Sequence, residues 1–215
     1  MLHKETVERE TFELLTKLMQ DEKFSNFNLA GGTALTLCIG HRMSIDLDLF
    51  TPDNFDVKKL EEYLIHKYDF RSSYLERNTL KGDINDIKID CITHSYPYLE
   101  KPFQSKEGIR LYSKRDIVAM KLSAIADNGT RLKDFIDIAF LSSTFSLAEM
   151  LAAYEKKFPN SNPVRPLKGL TYFQDINFNE PIQMINATFK WNKIEKRLRD
   201  MTDKTKTIFP ELTMS

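Results

Sequence analysis

The sequence predicts an α+β protein in two parts: a small mixed sheet flanked by helices over residues 1–114, then a helical domain over 115–215. Three observations predict it. Strand and helix patterns alternate in the first half, helical spacing alone fills the second, and an apolar fraction of 41% is enough for a core. No Pro/Gly-rich linker separates the halves, so a cleft between them is expected to be the natural site.

The elements follow in order. Residues 4–20 have the spacing of an amphipathic helix. FNLAGG (27–32) reads as a short strand ending in a glycine turn, and TALTLCIGH (33–41) as a short apolar helix stopped near Gly40. SIDLDLF (44–50) alternates as a strand does. Val57, Leu60, Leu64 and Tyr68 mark a helix over 56–69. RSSYLERNTLK and INDIKIDCITH then flank Gly82-Asp83, which reads as a hairpin turn. GIRLYS (108–113) is a further strand. Helices are expected over 116–126, 132–142, 146–157, 163–173 and 187–203, the last with Trp191, Ile194, Leu198 and Met201 on one stripe.

Composition excludes several classes of function. Formal net charge is zero, so a globally basic nucleic-acid binder is excluded and any RNA contact has to be a local patch. No apolar run approaches the ~20 residues of a membrane span, so no membrane partner is expected. The start, MLHKETVERETFELL, lacks the apolar region of a secretory signal. Cys38 and Cys91 make no metal spacing or disulfide framework. They read as buried thiols in a reducing cytoplasm.

The chemistry concentrates in two blocks. In a strand, Asp46 and Asp48 share one face while Ile45, Leu47 and Leu49 point into the core. Two adjacent carboxylates repel, and a divalent cation compensates them; oxygen ligands favour Mg²⁺ or Mn²⁺. The alternative is a solvent-facing polar edge. Gly31-Gly32-Thr33, between a strand and a helix, offers close backbone approach and free amides for a phosphate; the alternative is an ordinary turn with Thr33 as N-cap. In IKIDCIT, Asp90 lies on the face opposite Ile89 and Cys91. It becomes a third carboxylate if its strand neighbours 44–50, and is otherwise a solvated strand residue.

The second block is helical. Lys133 and Asp137 lie one turn apart and Asp134 and Asp137 three residues apart, with Arg131 at the helix entry. Lys121 sits in an otherwise apolar helix, either snorkelling or aimed at a cleft. These groups neutralise phosphate charge, or they form a salt-bridge cluster between packed helices.

Gly31-Gly32-Thr33-Ala34-Leu35, Gly40-His41-Arg42, Ser44 and Asp46-Leu47-Asp48-Leu49-Phe50 together resemble the AbiEii/AbiGii toxin family of bacterial nucleotidyltransferases, within the DNA-polymerase-β superfamily. Asp116 with Lys121 resembles the family's D-x4-K motif. Arg131-Leu-Lys133-Asp134-Phe-Ile-Asp137 resembles its R-x-K-D-x-x-D motif, and LKGLTYFQD (167–175) also looks familial. The superfamily's usual serine is Thr33 here.

The resemblance implies a polymerase-β-like fold and transfer of a nucleoside monophosphate from an NTP to an acceptor hydroxyl. It also implies a place in a toxin–antitoxin or abortive-infection system, with a cognate antitoxin as partner. Asp46, Asp48 and Asp90 are implied as metal ligands and Gly31, Gly32, Thr33 and Arg42 as nucleotide contacts. Lys121, Arg131, Lys133, Asp134 and Asp137 are implied to complete the site. In the mechanism expected for it, Asp90 or Asp134 takes the hydroxyl proton.

Two locally basic stretches, 101–121 and 188–206, are expected to reach an RNA backbone, a tRNA acceptor being the first hypothesis. The rival readings are a nucleotidylyltransferase acting on a small molecule or a protein, and a non-catalytic partner-binding module on the same fold.

Overall fold

The computed structural model describes residues 1–214. The chain divides into two compact units, the first comprising residues 1–97 and 101–113, the second residues 98–100 and those from 114 onward.

The first unit is built on a mixed sheet. Its strands are β1 (Asn28–Leu29), β2 (Leu47–Thr51), β3 (Arg71–Glu76), β4 (Thr79–Ile84), β5 (Ile87–Thr93), β6 (Phe103–Gln104) and β7 (Arg110–Leu111), in spatial order β3-β4-β5-β2-β1-β7-β6. The β2–β5 and β1–β7 pairs are parallel and the others antiparallel. Strand β2 is central and alternates as predicted: Leu47 and Leu49 are fully buried, and Asp48 and Phe50 lie on the other face.

The helices of this unit are α1 (Arg9–Gln20), α2 (Gly31–Ile39) and α3 (Val57–Tyr68). The single helix expected over 4–20 is divided, because Val7 is extended between a short 3-10 turn at Lys4–Thr6 and α1. Helix α1 buries Leu14, Leu15, Leu18 and Met19 at three- and four-residue spacing. Helix α2 is stopped by Gly40 at φ 71°, as its sequence predicts. Asp56 caps α3 by accepting from the Lys59 amide at 3.2 Å.

Three expectations are corrected here. Gly82-Asp83 is not a turn: Gly82 lies inside β4, paired with Ser72 and Ile89. A Cβ there would strike the Arg71 carbonyl and the Phe70 ring, so close approach explains the glycine. The chain reverses instead at Arg77-Asn78 and at Asn85-Asp86, where Asn85 (φ 52°) and Asp86 (φ 63°) form a left-handed two-residue loop. The strand expected over 44–50 begins only at Leu47, and Ile45 is 52% exposed rather than in the core. Cys91 is buried, and burial together with the Asp90 charge pushes its thiol up; Cys38 is only half-buried.

A polar knot ties α1 to α3. Asp21 is buried and accepts from Tyr68 Oη at 2.7 Å, Tyr63 Oη at 2.8 Å, Lys67 Nζ at 2.8 Å and the Lys23 amide at 2.9 Å. Burial alone pushes its carboxyl up, but these donors outweigh it and hold the group at about 2. A depressed pKa stabilises the fold above the unfolded value, and the contribution is lost as pH falls through the folded value. Asp21→Asn is therefore expected to cost about 2 kcal/mol at pH 7. The wild-type advantage should shrink between about pH 4 and 2. Urea denaturation of both proteins across that range checks it, and a pH-independent difference would contradict the assignment.

The second unit consists of α4 (Lys114–Asp127), α5 (Leu132–Leu141), α6 (Leu147–Lys157), α7 (Val164–Gly169) and α8 (Trp191–Asp203). Helix α6 starts with a capping box between Ser146 and Glu149. Helix α7 is shorter than the expected 163–173, and α8 begins at Trp191 rather than 187, burying Ile194, Leu198 and Met201. Residues 98–100 belong to this unit because buried Asp116 accepts from the amides of Leu99 (3.0 Å) and Glu100 (3.2 Å). Lys157 Nζ pairs with the same carboxylate at 2.8 Å. Among the described residues, no helix is long and apolar enough to cross a membrane.

Candidate active site

The glycine turn and the acidic strand meet in the first unit. Strand β1 pairs with β2, and the Ala30 amide donates to the Asp48 carbonyl at 2.8 Å. That register carries the chain from Ala30 into Gly31 beside the Asp48 side chain. Gly31 has φ 65°, a left-handed conformation open chiefly to glycine, and a Cβ there would overlap Asp48 Oδ2. Helix α2 starts at this turn with Ala30 as its N-cap and no side-chain capping bond. An alanine cannot cap, so the first-turn amides at Gly31, Gly32 and Thr33 keep the donor capacity that suits an anion.

Gly32 serves a different neighbour. A Cβ on it would meet Arg42 Nη2 at 2.9 Å and Ser44 Oγ at 3.3 Å. Arg42 is only 1% exposed and donates from Nη1 to the Met43 carbonyl at 3.0 Å. The guanidinium is thus buried against the glycine turn. Thr33 is fully buried; its hydroxyl lies 2.9 Å from Ser44 Oγ and donates to the Asp46 carbonyl.

Asp90 is brought beside Asp48. Strands β2 and β5 run parallel with Asp48 opposite Asp90, and β4 places Lys81 opposite Asp90 on the far side. A row Lys81–Asp90–Asp48 therefore crosses three adjacent strands and ends at the glycine turn. Lys81 Nζ lies 2.6 Å from Asp90 Oδ2. The sequence reading missed Lys81; once the β4–β5 pairing is known, its alternation in TLKGDI places it beside Asp90. Among the described residues, no three His, Cys, Asp or Glu side chains form a group that could hold a metal ion.

The helical block is assembled in the second unit. Lys121 of α4 lies 2.6 Å from Asp134 Oδ1 and 2.8 Å from Asp137 Oδ2 of α5, and all three are buried. Of the two readings that the sequence left open for these three, the geometry is that of an ion-pair cluster between packed helices. Lys133 pairs with Glu180 at 3.0 Å, and Arg131 is largely exposed, 4.0 Å from Asp134. The basic stretch 101–121 is partly spent internally. Arg110 donates to the carbonyls of Met19, Phe24 and Phe27, and Arg115 pairs with Glu100. On 188–206, Lys196 and Arg199 pair with Asp200 and Glu195, leaving Lys190, Lys204 and Lys206 exposed.

Residues 13–89 and 78–209 match the family model described as nucleotidyl transferase AbiEii toxin, type IV TA system. The chain belongs to the AbiEii nucleotidyl transferase toxin family. An uncharacterized protein of Aquifex aeolicus is 34% identical over 174 residues, covering 79% of this chain and 84% of the relative. A crystal structure from H. pylori assigned as a nucleotidyltransferase superposes with TM-score 0.57 at 16% identity, covering 92% of this chain and 95% of that one. MenT4, a nucleotidyltransferase toxin from Mycobacterium tuberculosis, gives TM-score 0.57 at 15% identity, covering 91% and 84%. These likenesses carry the fold, which is that of polymerase-β-like nucleotidyltransferases, as the AbiEii motifs predicted.

Proposed function

We propose that this AbiEii-family nucleotidyltransferase moves a nucleoside monophosphate from an NTP to a hydroxyl of RNA, with a tRNA end as the leading acceptor. Mg²⁺ or Mn²⁺ is the proposed cofactor, and a toxin neutralised by a partner antitoxin is the proposed setting. The observation that supports it is the glycine turn seated on the Asp48 carboxylate, with Asp90 in register on the neighbouring strand.

Asp46 and Asp48 are the donors proposed for a hard divalent cation; among the described residues no third carboxylate joins them as the side chains stand. Asp46, Asp48 and Asp90 offer only oxygens, and Lys81 at 2.6 Å from Asp90 is an ammonium already standing where positive charge is favoured. Asp46 and Asp48 would hold the ion, with Asp90 joining as Lys81 yields. When bound, the cation supplies charge neutralisation at the α-phosphate and the departing pyrophosphate.

The chain's own groups do the rest. The amides of Gly31, Gly32 and Thr33 receive phosphate oxygens at the N-terminus of α2, and Arg42 adds fixed positive charge behind them. The acceptor oxygen bonds to the α-phosphorus, the α–β bridging bond breaks, and pyrophosphate leaves with the electron pair. The hydroxyl proton passes to a carboxylate, Asp90 or Asp134, each of which is paired with a lysine at 2.6 Å that would have to release it. Exposed Lys190, Lys204 and Lys206 are the proposed RNA-backbone contacts, so tRNA binding should weaken with added salt.

The test is to incubate the protein with each α-³²P-labelled NTP, Mg²⁺ and total tRNA. Label is expected in RNA, with pyrophosphate released and EDTA abolishing transfer. Label in a protein band or a small molecule would redirect the acceptor. If no label moves and Mg-NTP leaves the melting temperature unchanged, the fold serves as a partner-binding module instead.

A further inference from the structure

We propose that Thr33 is a positioning residue: its hydroxyl sets the Asp46 carboxylate by holding the Asp46 main-chain carbonyl, while only the backbone of the turn meets phosphate. This rests on the nucleotidyltransferase reading above.

Proton accounting leads to this assignment. A threonine hydroxyl has one proton to donate. Thr33 directs that proton to the Asp46 carbonyl, and its second neighbour, Ser44 Oγ at 2.9 Å, carries a proton of its own to return. The consistent arrangement is a relay from the Ser44 hydroxyl to Thr33 Oγ1, and from Thr33 to the Asp46 carbonyl. Thr33 is 0% exposed, so its hydroxyl faces protein and not an entering triphosphate. A phosphate bond from this hydroxyl would take the proton away from Asp46.

The acidic strand explains why such a tether is needed. Ladder pairing of β2 begins at Leu47 opposite Ile89, one residue after Asp46. Asp48 is fixed by sheet pairing on both sides, through Asp90 and the Ala30 amide. Asp46 lies outside that ladder, in a segment held by side-chain and loop bonds: Thr33 to its carbonyl, Arg42 to the Met43 carbonyl, and the Ser44 amide to the Thr6 carbonyl at 2.9 Å. Thr33 therefore ties the glycine turn to the main chain that carries the Asp46 carboxylate, beside the Arg42 and Ser44 bonds that hold the same segment. A group bonded directly to a ligating side chain typically changes metal affinity about tenfold or more when lost; Thr33 bonds the Asp46 main chain, so about tenfold is the upper figure expected here.

The experiment compares wild type with Thr33→Val, which keeps the shape, and Thr33→Ser, which restores the hydroxyl. Amide hydrogen exchange of the peptide covering 43–49, without nucleotide or metal, is expected to quicken in Thr33→Val and return to wild type in Thr33→Ser. Mn²⁺ binding by electron paramagnetic resonance should weaken by up to about tenfold in Thr33→Val, with KM for NTP changed by less than about threefold. Should Thr33→Val not fold, Ser44→Ala removes the other half of the relay and is expected to weaken Mn²⁺ binding by about threefold. A raised KM for NTP with unchanged Mn²⁺ affinity in either variant would place the hydroxyl on phosphate and overturn the proposal. So would unchanged exchange over 43–49. Wild-type protein that neither binds Mn²⁺ nor transfers label overturns the enzymatic reading and this role together; a normal wild type with an unaffected Thr33→Val overturns this role alone.

Discussion

Asp48→Asn is expected to lower nucleotidyl transfer by about a thousand-fold or more while leaving the protein folded. The substitution is nearly isosteric, so Leu47 and Leu49 stay in the core and the pairing of β2 with β1 and β5 is undisturbed. The change removes one negative charge from the side chain that lies against Gly31. A neutral amide binds a hard cation far less well than a carboxylate, and Asp46 alone cannot replace it. The same change at Asp90 should be milder, because Asp90 already shares its charge with Lys81 at 2.6 Å. Label transfer from α-³²P-NTP, measured beside the melting temperature, checks both. An active, well-folded Asp48→Asn protein would remove Asp48 from the site altogether.

The acidic strand and the glycine turn were legible because both depend on local rules. Alternation at Leu47-Asp48-Leu49 needs only the two-residue period of a strand, though Asp46 falls just outside β2, and Gly31-Gly32 needs only the conformational freedom of glycine. The placement of Asp90 was conditional on strand order, which no local pattern contains; the β2–β5 pairing supplied it. The hairpin failed for a related reason. Gly82-Asp83 has turn chemistry, but Gly82 answers to the Phe70 ring and the Arg71 carbonyl across the sheet. Asn85-Asp86, with both residues left-handed, does the turning. Lys81 and the role of the Thr33 hydroxyl were out of reach, since each is defined by a partner from another element.

The helical block shows where spacing reaches its limit. Lys121 on one helix and Asp134 and Asp137 on the next suit an ion-pair cluster by their residue types and a phosphate site by the family resemblance, and burial separates the two. All three are buried, with the lysine within 2.8 Å of both carboxylates. Removing one partner from such a cluster strands the others in a medium that solvates charge poorly. Lys121→Met is accordingly expected to destabilise the protein by about 3–5 kcal/mol. Lys133→Met, which breaks a partly exposed pair with Glu180, should cost no more than about 1 kcal/mol. Combining Lys121→Met with Asp134→Asn and Asp137→Asn should recover part of the loss, because the stranded charges are then gone. Urea denaturation of the single, paired and triple variants measures each step. If Lys121→Met matches wild type in stability and loses only nucleotide affinity, Lys121 serves the phosphates and the cluster is not what joins α4 to α5.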